Sequence, residues 1–304
     1  MLNFLKYLPL EWRKRHEYCV PKGPSFRWAP WVTIPIAGSR LRLKAPRHSP
    51  RRSGEQWRLL PGRDLLDDPR LIHMATGVMA NDYWGNAPAL SRRFAFWGPW
   101  MSGCKAELTM SVGVWGRHEG HEFADLSFFH PKAFEMVLVQ YLNDYYGHKN
   151  WETYLSHVPR WHGPVDWQRH NHLPVFAASC KIYRRGEDLS RMTLPDHLFF
   201  FPITDQHFVQ IRFVQDLYSR DKSGDIAFDT APIQALQDAI VNSISLELSP
   251  AAQASYDKIK KEVRNMQLPK EFAPLKWPID PSIPQPPASD SPNAETDQHR
   301  LWKL

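Results

Sequence analysis

The sequence predicts an α+β fold, in which helices pack against antiparallel sheets and a proline-rich C-terminal tail is disordered. Apolar and polar residues alternate from Lys105 to Trp115, which is typical of a half-buried antiparallel strand. Apolar residues recur at helical spacing from Pro131 to Tyr146. The predicted strands mostly follow one another in consecutive pairs, which favours antiparallel sheets over the strand–helix alternation of a parallel sheet.

The composition indicates a chain that mostly folds. Aromatic residues make up 13% of the 304 residues and include 13 Trp, whereas disordered chains are poor in aromatic residues. The length suffices for one large domain or two ordinary ones. We predict an amphipathic, basic N-terminal segment at 1–30, a globular region at 31–266 and a disordered tail at 267–304. If the globular region is divided, its halves are 31–158 and 159–266.

A hairpin and a basic loop are predicted after the N-terminal segment. Trp31–Ile36 and Leu41–Leu43 flank Gly38–Ser39, and such a pattern indicates two strands joined by a tight turn. Pro35 has no amide hydrogen to donate, so the first strand is expected at a sheet edge. Residues 45–63 are rich in Pro, Arg, Ser and Gly and predict an exposed loop.

Two helices and two strands are predicted in the middle of the chain. Asp68–Pro69 precede apolar residues at helical spacing, and Pro is tolerated in the first helical turn because its missing amide hydrogen has no partner there. This helix would end near Met79. Strands follow at Arg93–Trp97 and Lys105–Trp115, and the strongest helical pattern covers Pro131–Tyr146.

The second half of the globular region is predicted to alternate between strands and helices. Residues 159–174 contain Trp, His and Pro without periodicity, so we expect an ordered loop. Thr230 and Ser249 are expected to cap the last two helices, because a side-chain oxygen at that position accepts from a free helical amide. The predicted strands are Val175–Arg184, His197–Ile203 and His207–Leu217.

Eight prolines after Leu268 define the predicted tail. Proline cannot donate to a helix or a sheet ladder, so this spacing excludes long regular elements. The tail is therefore predicted to be disordered. The prolines are Pro269, Pro274, Pro278, Pro281, Pro284, Pro286, Pro287 and Pro292.

The element order in the C-terminal half, antiparallel strands followed by a helix and the short run Ser243–Leu246, is loosely similar to the small α/β/α sandwich domains of the PsbP type. The resemblance implies a fold and no function, because unrelated activities share such folds.

Positive charge is concentrated in residues 40–63. This segment holds eight Lys and Arg residues against Glu55, a balance of +7, while the whole chain carries +6 and the remainder therefore −1. An anionic surface, either lipid or nucleic acid, is thus a candidate partner of the segment, with Arg51 and Arg52 as contacts. The alternative is a solvated charged loop.

Cysteine content and hydropathy predict a cytoplasmic protein. The three widely spaced cysteines form no Cys-x-x-Cys pair, which argues for reduced thiols rather than disulfides or a cysteine-ligated metal. No stretch approaches the roughly 20 apolar residues that cross a bilayer. The apolar start Met1–Leu8 is followed by Arg13–Arg15, the wrong order for a secretory signal.

Known catalytic motifs occur here only in incomplete form. Gly98–Lys105 resembles a phosphate-binding loop, but Cys104 separates the second Gly from the Lys, and Lys105 begins a strand where the motif requires a helix. A tight turn between two strands is the simpler interpretation. No Gly-x-Ser-x-Gly or Gly-x-Gly-x-x-Gly sequence is present.

Two histidine-rich segments are candidates for a metal site. His118 and His121 are three residues apart, one fewer than the zinc-protease helix requires. His162, His170 and His172 lie in the second segment, and three protein ligands with an open position are what a catalytic zinc needs. The alternative for the first segment is a solvated turn after the strand that ends at Trp115. The alternative for the second is an ordered loop whose Trp side chains are buried and whose histidines bind backbone groups.

We predict a non-catalytic binding or protein-interaction protein without a cofactor. Trp and Arg are the residues that interfaces use as anchors, and we expect the candidate Trp side chains to line a concave or exposed apolar patch. One alternative is a metal-dependent hydrolase that uses the five histidines named above. A further alternative is a peripheral membrane protein attached through residues 1–20. The candidate anchors are Trp97, Trp100, Trp161 and Trp167.

Overall fold

The computed structural model describes residues 5–12, 18–52, 54, 56–58, 63–67, 73–74, 84–117, 123–147, 161–184, 195–220 and 224–271. These residues form the predicted α+β architecture, with two antiparallel sheets and three α-helices of 12 or 13 residues. The predicted disordered tail lies outside the described residues from position 272 onward. None of the helices in the described ranges is long and apolar enough to cross a membrane.

Ten strands within the described ranges build the two sheets. The small sheet has the order β1-β2-β10 and the large sheet the order β3-β4-β5-β9-β8-β7-β6, with antiparallel pairing throughout. In chain order the strands are β1 (Trp31–Ile36), β2 (Ser39–Lys44), β3 (His73–Met74), β4 (Trp84–Trp97), β5 (Cys104–Arg117), β6 (Trp161–His170), β7 (Ala177–Arg184), β8 (Asp196–Pro202), β9 (His207–Leu217) and β10 (Ser245–Glu247).

The predicted hairpin forms the small sheet together with β10. Ala37 and Gly38 have φ values of 50° and 74°, the left-handed pair that a two-residue hairpin turn requires. The Asp64 carboxylate accepts hydrogen bonds from both amides at 2.7 Å. Strand β1 lies at the edge of the sheet, as Pro35 predicts.

The three helices are α1 (Pro131–Leu142), α2 (Ala231–Asn242) and α3 (Pro250–Glu262), and a π-helical turn, Asn143–Gly147, continues α1. The Ser249 hydroxyl caps α3 by accepting from the Ala252 amide, as predicted. The cap predicted at Thr230 is wrong. Thr230 already has helical dihedrals and its side chain accepts no capping bond, whereas Asp229 accepts from the Ala231 amide at 2.9 Å.

Two apolar clusters form the core of the described chain, one on each face of the large sheet. The first joins this sheet to the small sheet, α2 and α3, and the second lies under α1. The alternation in β5 places one set of its side chains in the first cluster, as the sequence predicts. These residues are Ala106, Leu108, Met110, Val112 and Val114.

Two predicted segments are corrected by the structure. Residues 161–170, predicted as a loop, form the edge strand β6. The sequence did not indicate this strand, because register shifts around Val165 interrupt the two-residue period that a strand normally displays. His73–Met74, predicted to be helical, pair with β4 as a two-residue strand that is too short to show alternation. The flanking residues 68–72 and 75–79 of that predicted helix lie outside the described residues.

The packed chain extends beyond residue 266. Leu268 is buried in the cluster under α1. The Trp167 indole donates to the Pro269 carbonyl at 3.0 Å, and the Arg169 guanidinium donates to the Leu268 carbonyl at 3.2 Å. The first residues assigned to the predicted tail therefore contact β6.

Candidate functional site

A groove of about 420 Å³ lies between α2 and the large sheet, and we call it the α2 groove. Phe199 and Phe213 contribute its apolar floor, and Val241 an apolar part of the α2 wall. Most of the remaining lining is polar. The polar lining residues are Asp166, Gln168, His170, Ser179, Lys181, His197, Gln234, Gln237, Asp238 and Asn242.

Strand periodicity brings the polar residues of the sheet to the groove. Side chains alternate between the two faces of a strand, so Ser179 and Lys181 face the groove while Cys180 and Ile182 are buried under α1. His197 reaches the groove from β8 by the same alternation.

Helix α2 supplies the opposite wall. Ile233, Leu236 and Ile240 anchor it in the first apolar cluster. Gln237 lies on this buried side and is only 4% exposed. Its Oε1 makes no hydrogen bond to any described residue, although it is buried. An acceptor without a partner is unfavourable in a protein interior, so this oxygen marks a place where a ligand donor would be stabilised.

Two polar contacts organise the sheet side of the groove. The Lys181 ammonium lies 2.7 Å from a carboxylate oxygen of Asp166. His170 Nε2 lies 2.8 Å from the Ser179 hydroxyl, and the His170 ring centroid is 4.8 Å from that of Phe199. The charged groups therefore lie at one end of the groove, and the imidazole packs on the aromatic floor.

Burial holds the imidazoles in and beside the groove neutral at pH 7. Burial lowers the pKa of His170, and the neighbouring His172 lowers it further. Burial also lowers the pKa of His172, although the Val241 backbone acts in the opposite direction. The pKa of His197 falls to about 4, chiefly through burial and secondly through Lys181. With two carboxylates, Asp166 and Asp238, against Lys181, the charge of the lining is −1.

The structure brings together two of the five histidines proposed as metal ligands. The rings of His170 and His172 lie 6.0 Å apart in a T-shaped arrangement. His118 and His121 lie outside the described residues, as does the side chain of His162. Within the described ranges, no group of three or more His, Cys, Asp or Glu residues is placed to hold a metal ion.

The four candidate Trp residues occupy separate regions. Trp161 and Trp167 belong to β6 and are partly buried against the cluster under α1. Trp97 ends β4, where its backbone pairs with Lys22. Trp100 lies in the turn between β4 and β5 and is 51% exposed. They do not form one patch, because β4 and β6 are five positions apart in the sheet order.

The N-terminal segment contacts the turn that carries Trp100. The Trp100 amide donates to the Lys6 carbonyl at 2.5 Å, and the Trp12 amide donates to the Met101 carbonyl at 2.9 Å. Leu5, Trp12 and Trp100 are all exposed, and we call this group the N-terminal apolar patch. The phosphate-loop-like segment is part of the same turn, with Gly98 donating to the Gly103 carbonyl.

Arg51 and Arg52 differ in their surroundings. The Arg51 guanidinium lies 4.8 Å from the centre of the Tyr218 ring, and its backbone amide donates to Glu107 at 2.9 Å. Arg52 is exposed. Arg51 is thus held by intramolecular contacts, whereas Arg52 faces solvent.

Sequence reasoning missed most of the groove. Ser179 and Lys181 carry a detectable signal, because each alternates with apolar residues in its strand. Gln237 interrupts the apolar side of α2 and could have been noticed in the same way. No protein-family model, curated protein or solved structure matches this chain, so the groove is interpreted from its own chemistry.

Proposed function

We propose that this chain is a non-catalytic binding protein whose α2 groove holds a small, uncharged molecule bearing hydroxyl or amide groups. The observation that carries the proposal is the buried Gln237 Oε1, which faces no donor among the described residues. A ligand hydroxyl or amide would donate to it. The volume of about 420 Å³ falls within the usual range of small-molecule sites.

Charge argues against an anionic ligand. Phosphate and carboxylate sites use unpaired Arg or Lys side chains or helix N-termini. The cation that lines this groove, Lys181, is paired with Asp166, and the lining is negative overall. Neutral imidazoles and side-chain amides both donate and accept, which suits hydroxyl and amide groups.

The geometry around Ser179 favours binding over catalysis. A serine nucleophile needs a base that a third group orients, and amides that point at the developing oxyanion. Among the described residues, no carboxylate hydrogen-bonds to the His170 ring. Ser179 lies within β7, paired with Gln168 and Phe199, so the strand backbone around it is engaged in the sheet.

Titration with neutral and anionic sugars, followed by two-dimensional amide NMR, tests the proposal. We expect glucose or N-acetylglucosamine to shift amide signals of the α2 groove, and glucose 6-phosphate to shift them less. Gln237→Leu should weaken the response at least about fivefold, because it removes the unpaired acceptor. Gln253→Leu, on the exposed side of α3, is the matched control and should leave the response unchanged.

Three results would contradict the proposal: tighter binding of the anionic sugar, no response to any neutral probe, or equal binding by wild type and Gln237→Leu. Metal analysis of the purified chain tests the hydrolase alternative. A stoichiometric transition metal that is lost when His170 and His172 are replaced would favour the hydrolase over the binding protein.

Free thiols and exposed indoles bear on the proposed location and partners. Cys19, Cys104 and Cys180 are all free, which fits a reducing compartment such as the cytoplasm. The N-terminal apolar patch fits a protein partner or the membrane alternative, because it combines exposed Trp side chains with the exposed Leu5 in the N-terminal segment. Flotation with anionic liposomes, with and without residues 1–20, separates these two cases.

A further inference from the structure

The outer face of the small sheet combines cations with exposed indoles, and it is distinct from the α2 groove. The alternation in β2 buries Leu41 and Leu43 completely. Arg40, Arg42 and Lys44, which alternate with these leucines, therefore face outward. Trp28 and Trp31 lie at the end of the face where β1 begins. We call the set Arg27, Trp28, Trp31, Arg40, Arg42 and Lys44 the cationic aromatic face.

The charge of this face lies along its central strand. Strand β2 pairs with β1 on one side and β10 on the other. Arg40, Arg42 and Lys44 therefore form a row across the middle, with successive side chains about 7 Å apart. Glu247 lies 3.9 Å from Arg40, and both side chains are largely exposed. Together with Arg27, the four cations outweigh this carboxylate by three charges.

The indoles of the face are open to solvent. Trp28 is 78% exposed and Trp31 is 53% exposed. The Arg27 guanidinium lies 5.1 Å from the Trp28 ring centre, and the Arg42 guanidinium lies 5.2 Å from that of Trp31. Each indole is thus positioned by a cation while most of its surface stays accessible.

We propose that the cationic aromatic face binds single-stranded nucleic acid. Bases stack on Trp28 and Trp31, and the phosphates of the connecting backbone contact Arg40, Arg42 and Lys44. Proteins that bind single strands combine aromatic stacking positions with a cationic path for the backbone, and this face provides both. The formal charge of +6 on the whole chain favours the approach of a polyanion.

The same residues fit other anionic partners less well. A bilayer surface requires apolar side chains that enter the headgroup region, but the other outward positions of the sheet include Thr33, Pro35 and Ser245. A duplex keeps its bases stacked on each other, which leaves the exposed indoles without a role. Unpaired bases use both features of the face.

Fluorescence anisotropy of labelled 12-nucleotide oligothymidylate and oligouridylate with the full chain tests the proposal. We expect binding that weakens as KCl rises from 50 to 200 mM. Trp28→Ala with Trp31→Ala should weaken binding about tenfold or more, because two stacking positions are lost. Arg42→Gln should weaken binding and reduce the salt slope by about 0.7, the value for one phosphate contact on a single strand.

The matched control is Trp12→Ala with Trp100→Ala, which removes two exposed indoles outside this face. It should leave oligonucleotide binding unchanged, and circular dichroism checks that both double variants fold. Binding of either oligonucleotide supports the proposal, and their relative affinities distinguish DNA from RNA. The proposal is overturned by no binding at 50 mM KCl, equal loss in both double variants, tighter duplex binding, or retention by phosphatidylserine vesicles alone. Gln237→Leu should not alter oligonucleotide binding, so the proposals for the α2 groove and for the cationic aromatic face can be tested separately.

Discussion

His170 Nε2 and the Ser179 hydroxyl oxygen lie 2.8 Å apart across strands β6 and β7. The contact follows from the strand register, because Gln168 pairs with Ser179 and His170 lies two residues further along the same face. Burial lowers the pKa of His170, so the ring that contacts the hydroxyl is neutral at pH 7. The pair therefore resembles a nucleophile and its base, and its reactivity can be tested directly.

We predict that Ser179 does not react with a fluorophosphonate probe. Phosphonylation needs an activated hydroxyl and a site that stabilises the oxyanion, and the backbone around Ser179 is engaged in sheet pairing. Intact-protein mass spectrometry after incubation at pH 8 should show no adduct, while a serine hydrolase treated in parallel is fully labelled. An adduct mapped to Ser179 would replace the binding proposal with an acyl-transfer activity.

His197 is predicted to reduce stability as pH decreases from 6.5 towards 4. The pKa of His197 is lowered to about 4 in the folded chain, against 6.5 for an unperturbed histidine. Between these values the unfolded chain binds more protons, so the stability present above pH 6.5 is lost on acidification. After discounting for partial exposure, His197 contributes about 1–2 kcal/mol.

Urea unfolding at several pH values between 4.5 and 7.5 measures this dependence. His197→Gln should lose less stability on acidification than the wild type does. His170, His172 and His207, whose pKa values are also lowered by burial, act in the same direction as His197. Burial raises the pKa of Glu135 to about 7 and also raises that of Asp216, so these two carboxyls act in the opposite direction in both proteins. His48→Gln, in the loop beside β4, is the control. Identical slopes for wild type and His197→Gln would show that His197 titrates normally.

Local patterns predicted much of the fold. Strand β5 and helix α1 have regular periods, and each buries the side that its sequence indicates. Strand β6 was missed, because its register shifts around Val165 change which residues share a face. The alternation of apolar and polar residues identifies a strand only where successive side chains point to opposite faces without a register shift.

The α2 groove was harder to predict, because it depends on long-range packing. His170 was a candidate because it lies in a histidine-rich segment, two residues from His172. Ser179, Lys181 and Gln237 become neighbours only when α2 crosses the face shared by β6, β7 and β8. No local pattern specifies which face of a sheet a later helix covers, so these residues could be noticed but not assembled into a site.

The cysteines are predicted to react slowly in the native protein. Burial raises the pKa of Cys104 to about 11, with Glu107 adding to the shift, and burial alone raises that of Cys180 further. Thiolates are the reactive species, so both thiols should resist Ellman's reagent at pH 8. Cys19 is only partly buried and should react first, although burial also raises its pKa.

The absorbance change when all three thiols react with Ellman's reagent in guanidinium chloride is the reference against which the native reaction is compared. Cys19→Ser should remove the fastest native phase, while Cys180→Ser should leave it in place. Equal rates for three thiols in the native protein would contradict the burial of Cys104 and Cys180.

The ion pair between Arg212 and Asp196 is predicted to couple β9 to β8. Arg212 Nε and Nη2 donate to the same Asp196 oxygen at 2.9 and 2.6 Å, and the Asp196 side chain is only 8% exposed. Asp196→Ala leaves a largely desolvated guanidinium without this carboxylate, which should cost about 3 kcal/mol of unfolding free energy.

A double-mutant cycle with Arg212→Met isolates the pair. Each single change leaves one charge without its partner. The double variant should therefore lose about 1–3 kcal/mol less unfolding free energy than the two single variants lose together. Arg40 and Glu247 form an exposed pair at 3.9 Å, and the same cycle there should give less than about 0.5 kcal/mol. Guanidinium unfolding followed by circular dichroism measures both couplings. Similar values for the two pairs would mean that burial of Asp196 does not strengthen its interaction with Arg212.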